Sequence, residues 1–260
     1  MPEIPDVEAF KNYADTTSLN QKIESVSVSV RKVLKDISAE DLEDELVGKS
    51  FVSTRRYGKY LFLKIQSNGW LAMHFGMTGK LKYFRNSDEK PYYGRIIFHF
   101  ENGYHLAFVT QRMLARLSLT SDPDEYIKNK NIGPDALEVD RDTFIQKFKE
   151  KHGSLKSALM EQELVSGIGN VYSDEILYQM KINPKAKVED LDEPHLEELY
   201  NKTHDILATA IKHQSGNDGL PDYFLLSHRK KGENCPSNNG KIATMKVAGR
   251  TSYYCPACQG

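Results

Sequence analysis

The feature that most constrains this chain is a change of hydrophobic period near Asp140. Before it, residues 24–34, 50–66, 69–84, 92–100 and 104–120 carry period-2 or short apolar runs rich in Val, Ile, Phe and Tyr, the pattern of strands with a buried face. Asn68-Gly69 and Asn102-Gly103 supply the tight turns that hairpins favour. After it, DRDTFIQKFKEKH, SLKSALMEQ, SDEILYQMKI and DEPHLEELYNKTHDILATAIKHQ have helical spacing, with Asp140, Ser154 and Asp192 where N-caps belong. Strands that precede helices, rather than alternating with them, predict an α+β protein. We expect a β-sandwich or flattened barrel over 1–125 and a helical domain over 126–225. The turn-rich DPDEYIKNKNIGPDALEV carries the linker, and a short β-ribbon at 240–255 lies within a terminal element, 226–260.

Charge is informative only in its distribution. The net charge is −1, yet Phe51–Asn86 holds seven Lys or Arg and no acid, and Leu225–Gly260 holds six against Glu233 alone. Two basic segments on an otherwise acidic chain suggest a polyanion-binding face, because local field steers a phosphate backbone. Solvated strands would explain them equally well. No apolar run approaches the roughly 18 residues of a membrane span. The three cysteines all lie from Cys235 onward, which does not suggest a secreted disulfide framework. The start MPEIPDVEAFKNYAD is acidic and broken by prolines, unlike a signal or transit peptide. The expectation is a soluble monomer of a reducing compartment: cytoplasmic, and nucleoid-associated if prokaryotic.

Several short motifs carry chemistry. Met1 precedes Pro2, a small residue that permits removal of the initiator. The exposed secondary amine would resemble an α-amino group, with a reference pKa near 7.7–8.0 against about 10.4 for Lys. Such an amine condenses with an aldehyde-like carbon to a cationic iminium, an electron sink. Glu3 beside it is suited to proton transfer. In EQELVSGIGNVYSDEILYQMKINP a helix is expected to end near Val165, Gly167 and Gly169 to bracket a turn, and Asn170 to open the next helix. Backbone N–H groups there form a ready anion site, to which Asn170 can add a side-chain donor. Alone, this GxG reads as glycines ending a helix. Lys59 follows Gly58 into a strand, and FGMTG places Met77 between glycines, as an exposed tip or as a core filler. CPSNNGKIATMKVAGRTSYYCPAC is a small finger with one thiol missing. Cys255 and Cys258 have CxxC spacing, but Cys235 is paired with Asn238. Structural zinc takes four ligands. Two outcomes stay open: three thiolates hold zinc with water or the Asn238 amide oxygen, or the hairpin is zinc-free and kept by packing.

MPEIPDVE, RRYGKY, HFGMTGKL, LVSGIGNVYSDEILY, DGLPDYF and GRTSYYCPAC occur in this order, and together they resemble the formamidopyrimidine-DNA glycosylase / endonuclease VIII family of base-excision repair. The start IPDVE and the stretch SGNDGLPDYF look closer to the formamidopyrimidine branch. The resemblance implies an N-terminal β-sandwich, a helix–two-turn–helix in the helical domain, and a degenerate zinc-finger hairpin. It implies a bifunctional glycosylase and AP lyase on damaged double-stranded DNA, with oxidised purines as substrates and no organic cofactor. Pro2 would attack C1′, Glu3 would relay protons, and Lys59, Asn170 and Arg250 would hold phosphates. Met77, Arg112 and Leu114 would fill the gap left by a flipped base. The chain departs from the family in Leu114, where an aromatic is usual, in Glu163, where Lys is usual, and in Asn238. The rival is a non-catalytic damaged-DNA or nucleic-acid binder on the same scaffold; the retained Pro2 and Glu3 argue against it.

Overall fold

The computed structural model describes residues 1–66, 68–216 and 219–260. The chain divides into two compact units, one of Met1–Pro2 with Asp6–Lys130 and one of Glu3–Pro5 with Asn131–Gly260.

The N-terminal stretch forms a helix, α1 (Ile4–Thr17), where the sequence showed only an acidic, proline-broken start. Pro5 falls in its first turn, where no backbone N–H is missed. Val7 and Ala14 lie on one face and are buried. β1 (Ile23–Val28) is followed by α2 (Ala39–Leu46). The Ser38 hydroxyl accepts from Asp41 N at 2.9 Å, and the Asp41 carboxylate accepts from Ser38 N at 3.2 Å, a capping box. Seven more strands follow: β2 (Phe51–Tyr57), β3 (Tyr60–Ile65), β4 (Trp70–His74), β5 (Lys80–Phe84), β6 (Gly94–Phe100), β7 (His105–Val109) and β8 (Arg116–Thr120).

They form two separate antiparallel sheets, ordered β1-β6-β7-β5 and β2-β3-β4-β8, a sandwich rather than a barrel. Alternation decides which side chains meet inside: Leu61, Leu63, Leu71 and Met73 from one sheet share a core with Ile96, Phe98, Leu106 and Phe108 from the other. Three of the apolar runs prove to be two strands each. The run 50–66 turns at Gly58, whose φ is 52°. The runs 69–84 and 104–120 each pass from one sheet to the other, at residues 75–79 and 110–115. Apolar continuity hides such crossings because both strands are buried. Gly69 and Gly103 have φ of 80° and 78°, in keeping with the expected turns; Ser67 beside the first lies outside the described residues. The supposed linker contains a helix, α3 (Pro123–Asn129), capped by Asp122. Its Tyr126 packs on Phe62 and Tyr60, with ring centroids 5.7 Å from each.

The second unit holds α4 (Arg141–Lys149), α5 (Leu155–Met160), α6 (Asn170–Gln179), α7 (Glu193–Gly216), β9 (Ala243–Val247) and β10 (Arg250–Tyr254). Asp140, Ser154 and Asp192 do accept from Thr143, Ser157 and His195 N–H. Phe144, Phe148, Leu159, Ile176, Leu199 and Ile206 are among its core residues. α5 stops at Met160, earlier than the expected Val165. The Gln162 amide takes over: it donates to Met160 O (2.8 Å) and Ile168 O (2.9 Å) and accepts from Gly167 N (3.0 Å). One side chain thus braces the double turn between α5 and α6. β9 and β10 pair through a two-residue turn, Ala248 and Gly249, both at positive φ. Of the stretch SGNDGLPDYF, Asn217 and Asp218 lie outside the described residues. Among the described residues no helix is long and apolar enough to cross a membrane.

Phe98 is fully buried and meets Phe51 edge-on at 5.5 Å. Phe98→Ala should cost about 3–5 kcal/mol, read as a lowered urea midpoint for the first unit.

Candidate active site

The turn before α6 is an anion site, but its anion belongs to the protein. The Glu3 carboxylate, 1% exposed, accepts from Gly169 N at 2.6 Å, Val171 N at 2.8 Å and Tyr172 N at 3.1 Å. These are the orphan donors of a helix start, and its dipole favours a negative charge there. Phosphate binding by these same N–H groups, expected from the sequence, is therefore excluded here. Residue 169 must be glycine, since a Cβ would lie 2.5 Å from Glu3 Oε1. Ile4 N donates to Gly167 O at 3.2 Å and ties down the next residue. Pro2 is thus covalently joined to a residue held by three backbone N–H groups. The Asn170 amide donates to Thr251 O at 3.1 Å. That use of one N–H leaves a second on the same nitrogen.

Arg250 is exposed at the end of the β9–β10 turn, with Nη1 2.9 Å from Met160 Sδ. Its strand is fixed from beneath by a buried charge network. The Asp174 carboxylate accepts from the Lys156 ammonium, from Arg229 Nη2 at 2.7 Å and from Tyr253 N at 3.2 Å. Lys156 also donates to Ser252 Oγ at 2.5 Å, and Arg229 lies over the Tyr253 ring at 4.5 Å. Burial holds the Lys156 ammonium below its ordinary pKa, against the opposing pull of Asp174. Next along α6, Glu175 accepts from Leu225 N and Leu226 N, and burial pushes its pKa up to about 7. Sequence reasoning missed these residues because a lone Lys, Asp or Glu in a helix carries no pattern of its own.

In the first unit, Lys59 is 4% exposed in the turn between β2 and β3. His74 ends β4. Burial first, then the charges of Lys59, Lys130 and Arg116, lower its pKa to about 4. Its Nδ1 accepts from Gly76 N at 3.3 Å. Met77 and Leu114 are 43% and 45% exposed, and Arg112 is exposed too. They stand on two loops that form one body. Gly76 backs so closely on the second loop that a Cβ would lie 2.5 Å from Leu114 C. Arg112 N donates to Thr78 Oγ1 at 3.3 Å, and Arg116 Nη1 donates to the carbonyls of Met113 and Ala115 at 2.9 and 2.7 Å. His74 and Arg116 are direct cross-strand partners. Their positions beside the two tips were the available signal.

The basic segments are partly structural. Arg56 pairs with Glu8 at 2.8 Å, Arg55 with Asp124 at 2.6 Å and Arg229 with Asp174. Lys64, Lys80, Lys82 and Arg85 remain exposed for a polyanion, while Glu163 is exposed on the double turn.

In the finger, Cys235 Sγ and Cys258 Sγ are 3.6 Å apart, and all three sulfurs lie within 4.8 Å of one another. A tetrahedral zinc with bonds of about 2.3 Å spaces its sulfurs about 3.8 Å apart, so three thiols this close could bind a metal. Asn238 completes the ring: its Oδ1 is 3.6 Å from Cys255 Sγ and accepts from Gly240 N at 2.7 Å, and its Nδ2 is 2.9 Å from Cys258 Sγ. Tyr178 OH lies 3.1 Å from Cys235 Sγ. Burial pushes the Cys258 thiol up to about 12, together with the adjoining Cys235. Burial also acts upward on Cys235, but hydrogen bonds from Tyr178 and the Ser237 backbone hold it below its ordinary value.

A buried N-terminal carboxylate on a helix start, exposed tips on a β-sandwich and an arginine on a braced hairpin define a nucleic-acid-processing class of fold. The formamidopyrimidine-DNA glycosylase N-terminal domain model matches residues 1–117, and the H2TH domain model of the same enzyme matches 132–219. Formamidopyrimidine-DNA glycosylase of Pelotomaculum thermopropionicum is 31% identical over 100% of this chain and 99% of its own. The Arabidopsis thaliana protein of that name is 30% identical, over 71% of its length. A crystal structure of the Lactococcus lactis enzyme non-covalently bound to AP-site DNA superposes with a TM-score of 0.89 at 29% identity, covering 99% of both chains. The chain belongs to the formamidopyrimidine-DNA glycosylase family.

Asp174→Ala should strand Lys156 and Arg229 as buried cations and cost about 3–5 kcal/mol, measured as the urea stability of the second unit. For His74 the folded pKa lies below the unfolded value of 6.5, so the unfolded chain binds the extra proton. Stability should fall as pH drops from about 6.5 to about 4, by at most about 3 kcal/mol. His74→Asn should flatten that part of a Tm-against-pH curve.

Proposed function

We propose that this chain is a bifunctional DNA glycosylase and AP lyase of base-excision repair, acting on double-stranded DNA with an oxidised base, oxidised purines preferred. The observation that carries the reading is the Glu3 clamp, which fixes the residue bonded to Pro2 on the helix start. The Lactococcus lactis relative has also been crystallised with FAPY-dG-containing DNA, which supports a damaged-DNA substrate.

A damaged base inside a duplex is out of reach and must be flipped out. Met77, Arg112 and Leu114 occupy the gap, and the bond from Arg116 to the carbonyls on either side of Leu114 stiffens that tip. With Met1 removed, the Pro2 nitrogen lone pair forms a bond to C1′, and the glycosidic pair leaves with the base. Glu3 takes the proton from the Pro2 nitrogen and passes it to the sugar ring oxygen as the C1′–O bond breaks, which leaves a Pro2–C1′ iminium. This cation draws electrons from C2′. Loss of a C2′ proton expels the 3′ phosphate, and a second elimination expels the 5′ phosphate. Lys59, the remaining Asn170 N–H and Arg250 hold the backbone on either side. Cys235, Cys255 and Cys258, with Asn238 Oδ1 as the fourth donor, would hold zinc as a structural cross-link. In this reading the chain is a cytoplasmic monomer.

Borohydride trapping tests it. The purified protein, with Met1 removal confirmed by mass spectrometry, is incubated with duplexes carrying 8-oxoguanine, an oxidised pyrimidine or an abasic site. A covalent protein–DNA band that disappears in Pro2→Gly is the expected outcome, strongest on 8-oxoguanine. A band on abasic DNA alone would retain the lyase and remove base recognition. Binding with no band on any duplex would favour the non-catalytic binder, the reading to which Glu163, Leu114 and Asn238 lean.

A further inference from the structure

The outer face of the β1-β6-β7-β5 sheet carries a pair of histidines that the chemistry above does not use. His99 on β6 and His105 on β7 are direct cross-strand partners, with their Nδ1 atoms 2.9 Å apart. The rings meet at 73°, with centroids 4.7 Å apart. His105 packs on Phe84 at 5.0 Å, which limits its rotation. On its far side, His99 Nε2 is 2.8 Å from Ser27 Oγ on β1. Both rings are half-buried, so each keeps a side open to solvent.

We propose that His99 and His105 form a chelating site for a divalent transition-metal ion of the Ni²⁺ or Cu²⁺ class. Two nitrogens at about 2.1 Å in cis positions of a square-planar or octahedral ion lie about 3.0 Å apart. The observed separation fits that edge, whereas a tetrahedral ion would need about 3.4 Å. Water completes the coordination on the open side. Ser27 stands where a ligating histidine needs a partner for its second nitrogen, which fixes tautomer and ring orientation.

The proton count balances. In the pair as it stands, one ring carries the proton between the two Nδ1 atoms. The metal binds to one side of the line joining the two nitrogens, about 2.1 Å from each, and the displaced proton moves through water to Nε2 of the same ring. No proton is released. Burial, then His105 and Lys90, hold His99 below its ordinary pKa, against the opposing charge of Glu24. The strands supply rigidity: β6 and β7 are joined by the tight Asn102-Gly103 turn, so the two imidazoles are placed before any metal arrives.

Equilibrium dialysis with Ni²⁺, with Mg²⁺ as the control, tests the site in the full-length protein. The finger thiols are present in every variant, so only the difference between variants reports on the histidines. Wild type should bind one Ni²⁺ more than His99→Asn or His105→Asn. Paramagnetic broadening in NMR spectra should reach the signals of Ser27, His99 and His105. Ser27→Ala, which leaves both ligands in place, should weaken that Ni²⁺ by about 10-fold or more and keeps the test open if a histidine variant fails to fold. Equal Ni²⁺ uptake by wild type and the two histidine variants would overturn the site. So would broadening confined to the finger.

Discussion

The grip of three backbone N–H groups on the Glu3 carboxylate is the interaction on which the rest of the site depends. A helix start presents orphan donors and a positive field, and something must satisfy them. In this protein the third residue of the chain does so. That choice takes the anion site away from an external phosphate, requires glycine at 169, and holds the residue bonded to Pro2. A residue this near a chain end is otherwise among the least ordered in a protein, and the clamp gives it a defined position.

The same helix serves two further purposes through successive residues. Asn170 reaches the hairpin carbonyl of Thr251, and Asp174 gathers Lys156, Arg229 and the Tyr253 amide into one buried cluster. Such a cluster is poor evidence for stability in itself, because desolvation offsets much of the attraction. Its value lies in geometry: β10 has one position against α6, so Arg250 at its end has one position too. This also bears on the incomplete finger. The hairpin has braces besides any metal, namely Ser252 on Lys156, Tyr178 on Cys235 and Asn238 on Gly240. The loss of a fourth thiol removes one support among several.

Much of this was legible in the sequence. The change of period at Asp140, the three N-caps and the Asn-Gly turns are local features and occur as expected. Met77, Arg112 and Leu114 could be named, and the structure places all three at the surface. What could not be read was their union into one platform. That rests on Gly76 lying against Leu114 and on the cross-strand pair His74 and Arg116, none of them adjacent in sequence. The basic segments were overread for the same reason, since nothing nearby in the sequence shows that Arg55, Arg56 and Arg229 are engaged by Asp124, Glu8 and Asp174.

The sequence by itself determined the division into a strand-rich half and a helical half, the three N-caps from Asp140 onward and the Asn-Gly turns. These follow from periodicity and from hydrogen bonds that span three or four residues, so they are written within a short window. Only the tertiary structure decided which donors hold which acceptors. Glu3 and Gly169 are 166 residues apart, and Lys156 and Ser252 are 96 apart. Which of many carboxylates fills a helix start, or which strand covers a buried lysine, depends on how the whole chain closes, and no local pattern encodes that closure.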